Sequence, residues 1–398
     1  MKSLRRIPIA YWFLAAFVVV APLSLSTKLE GAITLKYLRL SFCILGALLA
    51  VTSGALSRLG PASITLMIFS SFYMIAAVWS EEPLVGVAYK ALFFCSILLG
   101  GFTAVSTKSI EDMRTPLRFL VFTSTIASLV VLYQYRTHPV ENVQLGRLSI
   151  YGINANVLGL TAAVLFLVTF SQALWDSRFW RGVAVTGAGS SLIVLIASAS
   201  RASLAMALVG AAVQLVPAVR RPGRLLSVAV FAAMVLVASS IMVQTEALER
   251  MTSSVNTRAG MWQVAMRLFS ESPVLGKGWV TSGRSTGNLH SLYLQILVET
   301  GIIGAILFLV FLVSMFSQVF RCHRIATTTG NRYTYYFALS LVAGVLMHGL
   351  AESATLTGTT CSTIFLGFGV GILDRLRVTG PADLSGRIRE FVEKSCCC

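Results

Sequence analysis

Charge is scarce in this chain. Asp, Glu, Lys and Arg make up 12% of its 398 residues, whereas 56% are hydrophobic and the mean hydropathy is +0.79. Soluble domains carry about 25% charged residues, so this composition excludes an ordinary water-soluble core. Acidic residues are the scarcer kind: 16 Asp and Glu against 32 Lys and Arg leave a net charge of +16. No basic run is longer than two residues, which excludes a contiguous nucleic-acid-binding patch. The seven cysteines make no framework. Cys43, Cys95 and Cys361 lie in apolar runs, Cys322 in a basic loop, and Cys396, Cys397 and Cys398 end the sequence. No spacing fits a zinc site, and Ser395 stands where a prenylation box needs Cys. There is no internal repeat, low-complexity segment or soluble domain.

What the sequence has is long apolar runs. A bilayer core of about 30 Å takes about 20 apolar residues per helix, and that window finds spans near 7–27, 33–56, 63–79, 84–105, 117–135, 152–174, 182–199, 202–219, 225–244, 291–319, 333–352 and 354–373. The first follows Lys2, Arg5 and Arg6 but is too long for a signal peptide and has no small-x-small cleavage site, so it reads as a span. The expected fold is all-α and polytopic, with about twelve transmembrane helices. Residues 1–244 form helices 1–9, 245–290 an outer loop, 291–373 helices 10–12, and 374–398 a cytoplasmic tail. With both termini in the cytoplasm, 20 of the 32 Lys and Arg fall in cytoplasmic segments, as the positive-inside rule requires.

The outer loop, roughly 46 residues, is the only long connection, and loops of that length are usually functional or disordered. From Thr257 to Ser270, Met261, Trp262, Ala265, Leu268 and Phe269 recur at helical spacing, which predicts an amphipathic helix. Ser272-Pro273 ends it, and Gly276-Lys277-Gly278-Trp279 follows as a tight turn. A polar stretch then leads to His290, at the start of the tenth span.

These residues carry a resemblance. Arg258 with Trp262 four residues on, the Ser-Pro-x-x-Gly-x-Gly turn through Pro273, Gly276 and Gly278, and the run from His290 through Tyr293, Leu294, Glu299, Gly301 and Gly304 resemble the signature region of the O-antigen ligase and polymerase family. Ser200-Arg201 at an outer hairpin and Gly152-Ile-Asn-Ala-Asn at the mouth of the sixth span fit too, while Ser291 stands where many relatives have Asn. The resemblance implies a GT-C-like fold with short helices in one large periplasmic loop. It also implies a glycosyltransferase of the bacterial inner membrane whose active site faces the periplasm. Its donor would be an undecaprenyl-diphosphate-linked glycan, its acceptor lipid A-core or a growing glycan, and membrane lipids its surroundings. No cofactor is implied.

The chemistry of that reaction selects residues. A diphosphate at the outer leaflet calls for cations at the outer helix ends, and Arg offers a planar fork with a persistent charge. Arg201 and Arg258 are the leading donor-binding and catalytic candidates, with Lys90, Arg147, Arg39 and Lys36 on the same side. Lys36 and Arg39 are also placed to snorkel, and Arg136 and Arg147 to be solvated. His290 is the candidate base, since imidazole accepts a proton near neutral pH. Tyr293 and Trp279 are candidate sugar contacts, with an interfacial position slightly favoured over that role. Glu299, nine residues after His290, faces the opposite side about 13 Å deeper on a straight helix. That favours a partner such as Lys90 over a dyad with His290. Glu299, Trp262, Gly276 and Gly278 are thus expected to be supporting residues, and Gly301-x-x-Gly304 a helix-packing spacing. The outer loop has only Glu246, Glu249 and Glu271 as acids, so a metal-independent reaction is expected. A ligase is the first expectation, a polymerase with the same donor the alternative, and a lipid-linked glycan transporter or flippase the third.

Overall fold

A computed structural model describes residues 7–24, 32–52, 58–107, 109–138, 143–144, 147–149, 154–219, 228, 259–279, 289–353 and 360–378. The helices are α1 (Ile9–Ser24), α2 (Ala32–Thr52), α3 (Pro61–Ala76), α4 (Pro83–Val105), α5 (Arg114–Thr137), α6 (Ala155–Trp175), α7 (Arg178–Ala197), α8 (Arg201–Leu215), α9 (Ala259–Glu271), α10 (Leu292–Thr328), α11 (Arg332–Gly349) and α12 (Cys361–Val378). Between α5 and α6, β1 (Val143–Gln144) pairs antiparallel with β2 (Arg147–Leu148). Among the described residues, seven helical segments are long and apolar enough to cross a membrane. The ninth predicted span, 225–244, lies outside the described residues but for Val228, as do the terminal cysteines. The predicted tenth span is longer than expected, since α10 continues to Thr328.

Sequence sets the helix ends. Pro61 and Pro83 open α3 and α4, where a missing amide costs nothing. Asn154 caps α6 by accepting from the Asn156 amide at 2.9 Å, and Ser291 caps α10. Burial then sorts the helices. α6 and α12 are buried on nearly every side, whereas α10 turns Ile302, Ile306, Leu309, Val313, Phe316 and Phe320 outward. That spacing makes a lipid-facing stripe. Small residues let helices touch: a Cβ on Gly100 would lie 1.9 Å from the Ile364 carbonyl oxygen, and one on Gly371 2.4 Å from that of Gly101. This close crossing fixes α4 against α12.

At the end away from the outer loop, Asp176 joins α5 to the α6–α7 turn. Arg118 Nε donates to its Oδ2 at 2.7 Å, Arg114 lies 3.3 Å from its Oδ1, and the Ser177 amide also donates. Burial alone would raise this carboxyl, but Arg118, Ser177 and Arg114 outweigh it and hold the group below the usual carboxylate range.

The tenth span is not one straight rod. Gly301 has φ +61° and ψ −161°, which breaks α10. The turn after α9 repairs the break: Lys277 and Gly278 donate their amides to the Val298 and Glu299 carbonyls at 2.8 and 3.0 Å, and Ile302 and Ile303 donate to the Pro273 and Val274 carbonyls at 2.9 and 3.4 Å. Membrane-buried backbone needs such partners. The Gly301-x-x-Gly304 expectation is therefore corrected. The close neighbour of Gly301 is the Pro273–Val274 backbone of the loop rather than a second helix, and a Cβ there would lie 2.3 Å from the Val274 carbonyl oxygen.

Candidate active site

Two polar clusters occupy the end of the bundle where the outer loop docks. The deeper one braces the α10 break. Glu299 accepts from Lys90 Nζ at 2.7 Å, from the Tyr73 hydroxyl, and from Gln295 Nε2 at 2.9 Å. Lys90 also stands 3.6 Å over the Tyr73 ring. Lys90 and Glu299 are each 1% exposed, and a buried ion pair is kept only when it is well hydrogen-bonded. The ammonium of Lys90, expected as a donor contact or as the partner of Glu299, is enclosed by Glu299 and Tyr73. Gly276 and Gly278, at φ +74° and +73°, let the loop backbone reach this break. A Cβ on Gly276 would lie 2.5 Å from the Glu299 carbonyl carbon, and one on Gly278 2.7 Å from the Ser80 amide nitrogen. Only glycine suits both positions. Trp279 follows, stacked on Tyr89 with centroids 5.3 Å apart.

The shallower cluster gathers residues from four parts of the chain. His290 has φ +49°, an uncommon backbone for histidine, immediately before the Ser291 cap. Its Nδ1 lies 3.4 Å from Glu352 Oε2, in the turn after α11. Glu352 Oε1 accepts from Asn156 Nδ2 at 3.0 Å, and Asn156 Oδ1 accepts from Arg147 Nη2 at 2.5 Å. Arg147 Nε donates to the Ser198 carbonyl at 3.0 Å. Ser198 belongs to the tight hairpin whose Ala199 has φ +48° and which presents Arg201 as the first residue of α8. That hairpin is pressed onto α6, since a Cβ on Gly159 would lie 2.5 Å from Ser198 Oγ. Behind it Ser200 and Ser203 share a hydrogen bond of 2.8 Å, and Ser203 Oγ lies 3.3 Å from His348 Nε2. The polar links thus run from His290 to the Arg201 hairpin.

The remaining candidates are scattered. Arg39 is buried in α2 near Cys43, Cys361 and Tyr89, and its Nε and Nη1 have no hydrogen-bond partner among the described residues. The Tyr293 hydroxyl donates to the Leu346 carbonyl at 2.9 Å, tying α10 to α11. Trp262 is 44% exposed on α9, beside the face on which Ala265, Leu268 and Phe269 meet Leu289, Leu294 and Val298. Arg258 and the Lys36 side chain lie outside the described residues. Sequence reading gave no role to Glu352 or Asn156. An acid in a turn between two apolar spans was the available signal, because ionisable groups at membrane depth are costly and usually functional.

The fold and this cluster define a polytopic helical membrane protein with a polar site at one mouth of its bundle. Residues 186–309 match the family model described as O-antigen ligase. That stretch, from α7 through the outer loop into α10, is similar to the O-antigen ligase family. The match spans Arg201, Arg258 and His290 but not Arg147, Asn156 or Glu352. No curated protein matches the chain.

Proposed function

We propose that the protein transfers a glycan from undecaprenyl diphosphate to a sugar hydroxyl of lipid A-core. The transfer takes place at the periplasmic face of the bacterial inner membrane, without a metal ion and with inversion at the anomeric carbon. The observation that carries this reading is the linked cluster that ties His290 to the hairpin bearing Arg201. A weakly acidic hydroxyl attacking a sugar carbon gains from a positioned proton acceptor, and His290 supplies one. The departing diphosphate gains charge on leaving, and guanidinium groups at the mouth offset it. Arg201 and Arg258 take that role. Arg147 holds the hairpin, and Arg39, with nitrogens lacking described partners, is a further donor contact from the bundle side.

Deletion of the gene followed by glycan analysis tests the reading. Loss of polymer from lipid A, with lipid-linked polymer accumulating, is the expected result. Accumulation of single lipid-linked repeat units would overturn it in favour of a polymerase using the same donor.

A further inference from the structure

We infer that Glu352 is a positioning residue for His290. It holds the imidazole through Nδ1, fixes the tautomer with its proton there, and leaves Nε2 as the proton acceptor. The inference rests on the proposed role of His290 as base and adds what makes that role possible.

The geometry is asymmetric in the required way. Nδ1 is buried and stands 3.4 Å from the equally buried Glu352 Oε2, within ion-pair distance though not in hydrogen-bonding geometry, whereas the His290 side chain as a whole is 30% exposed. The accessible part of the ring is therefore away from Nδ1. A carboxylate accepts but does not donate, so it favours the tautomer that places a proton on the nitrogen facing it.

Glu352 is itself held. Its other oxygen accepts from Asn156, Asn156 accepts from Arg147, and Arg147 donates to the Ser198 carbonyl. Its amide donates to the His348 carbonyl at 3.0 Å, which places the residue at the C-terminal end of α11. A carboxylate at that end opposes the helix dipole, and Glu352 is only 1% exposed. A buried acid at the wrong end of a helix requires specific partners. Among its neighbours in the described residues are the amide of Asn156 and the imidazole of His290, from two other parts of the chain. The left-handed backbone of His290 is strained and sits where the chain turns into α10 beside this carboxylate; such strain clusters at functional sites.

In the reaction the acceptor oxygen forms a bond to the anomeric carbon while its proton passes to Nε2. The bond from that carbon to the diphosphate oxygen breaks, and its electron pair leaves with the lipid diphosphate. The imidazolium that forms lies beside the Glu352 carboxylate and afterwards loses its Nε2 proton to water. Glu352 keeps its charge throughout, as an orienting carboxylate does in acyl-transfer triads.

The test uses the full-length protein in lipid nanodiscs with 15N-labelled histidine. The four histidines give separable ring signals, and His290→Ala identifies the one in question. The expected spectrum has the His290 proton on Nδ1. In Glu352→Gln the new amide donates to Nδ1, so the proton moves to Nε2. Turnover should fall by about 10²–10⁴-fold, the range of a lost general base, while retention of labelled donor stays within about twofold of wild type. Glu352→Asp should recover part of the turnover.

A wild-type His290 protonated on Nε2, or a Glu352→Gln protein with unchanged tautomer and turnover, would overturn the inference. If Glu352→Gln does not fold, the wild-type tautomer and the Asp variant still decide. A wild-type protein that transfers no glycan would count against the proposed reaction alone, because the tautomer is read without turnover.

Discussion

Gly301→Ala tests how the outer loop is built into the membrane helix. At φ +61° and ψ −161° Gly301 occupies backbone space that essentially only glycine enters, and forcing alanine there costs about 1–3 kcal/mol. The added methyl would also lie 2.3 Å from the Val274 carbonyl oxygen and 2.6 Å from the Gly276 amide nitrogen. Both are backbone atoms that no rotamer change can clear, so the loop must move off α10. The bonds from Ile302 and Ile303 to Pro273 and Val274 then weaken, at about 1 kcal/mol each. The sum is about 3–5 kcal/mol, a large part of typical net stability. Reversible unfolding by SDS titration in mixed micelles reads it. Gly260→Ala is the control, because nothing lies within 4 Å of its Cβ and alanine favours a helix by about 1 kcal/mol. A Gly301→Ala midpoint at or above wild type would refute the clamp.

Three other outcomes follow from the same geometry. Lys90→Met leaves the Glu299 carboxylate buried without its cation and should cost about 3–5 kcal/mol; adding Glu299→Gln should recover part of that in the same titration, and a neutral single variant would remove the brace. Asp176, held below the usual carboxylate range against the pull of burial, contributes stability that is present above about pH 4 and lost as pH falls through its lowered value. Arg118→Met should flatten that acid-side loss, and an unchanged profile of unfolding midpoint against pH would contradict it. Arg201→Ala should weaken retention of labelled lipid diphosphate, with Arg201→Lys only partly restoring it because a point charge lacks the planar fork. Full restoration by lysine would show that charge alone suffices.

The membrane helices were legible because apolar runs of bilayer length are written locally: α3, α4, α5 and α8 fall within a few residues of the windows that predicted them. The amphipathic α9 and the Lys90–Glu299 pairing were legible too, the first from helical period and the second by placing Glu299 away from His290. The α10 break was not. A Gly-x-x-Gly run in an apolar helix has the same spelling whether another helix or a returning loop approaches it, and only the donors at Lys277 and Gly278 distinguish the two. Glu352 was hidden for a similar reason. It meets His290 and Asn156 across three separate connections, and a single sequence carries no record of which turns meet.

The central claim is that His290 takes the proton from the acceptor hydroxyl. Its most direct test is a transfer assay with purified protein, lipid-diphosphate-linked glycan and lipid A-core, comparing wild type with His290→Ala and measuring turnover and donor retention separately. Turnover should fall by about 10²–10⁴-fold with donor retention essentially unchanged. Near-normal turnover in His290→Ala would contradict it.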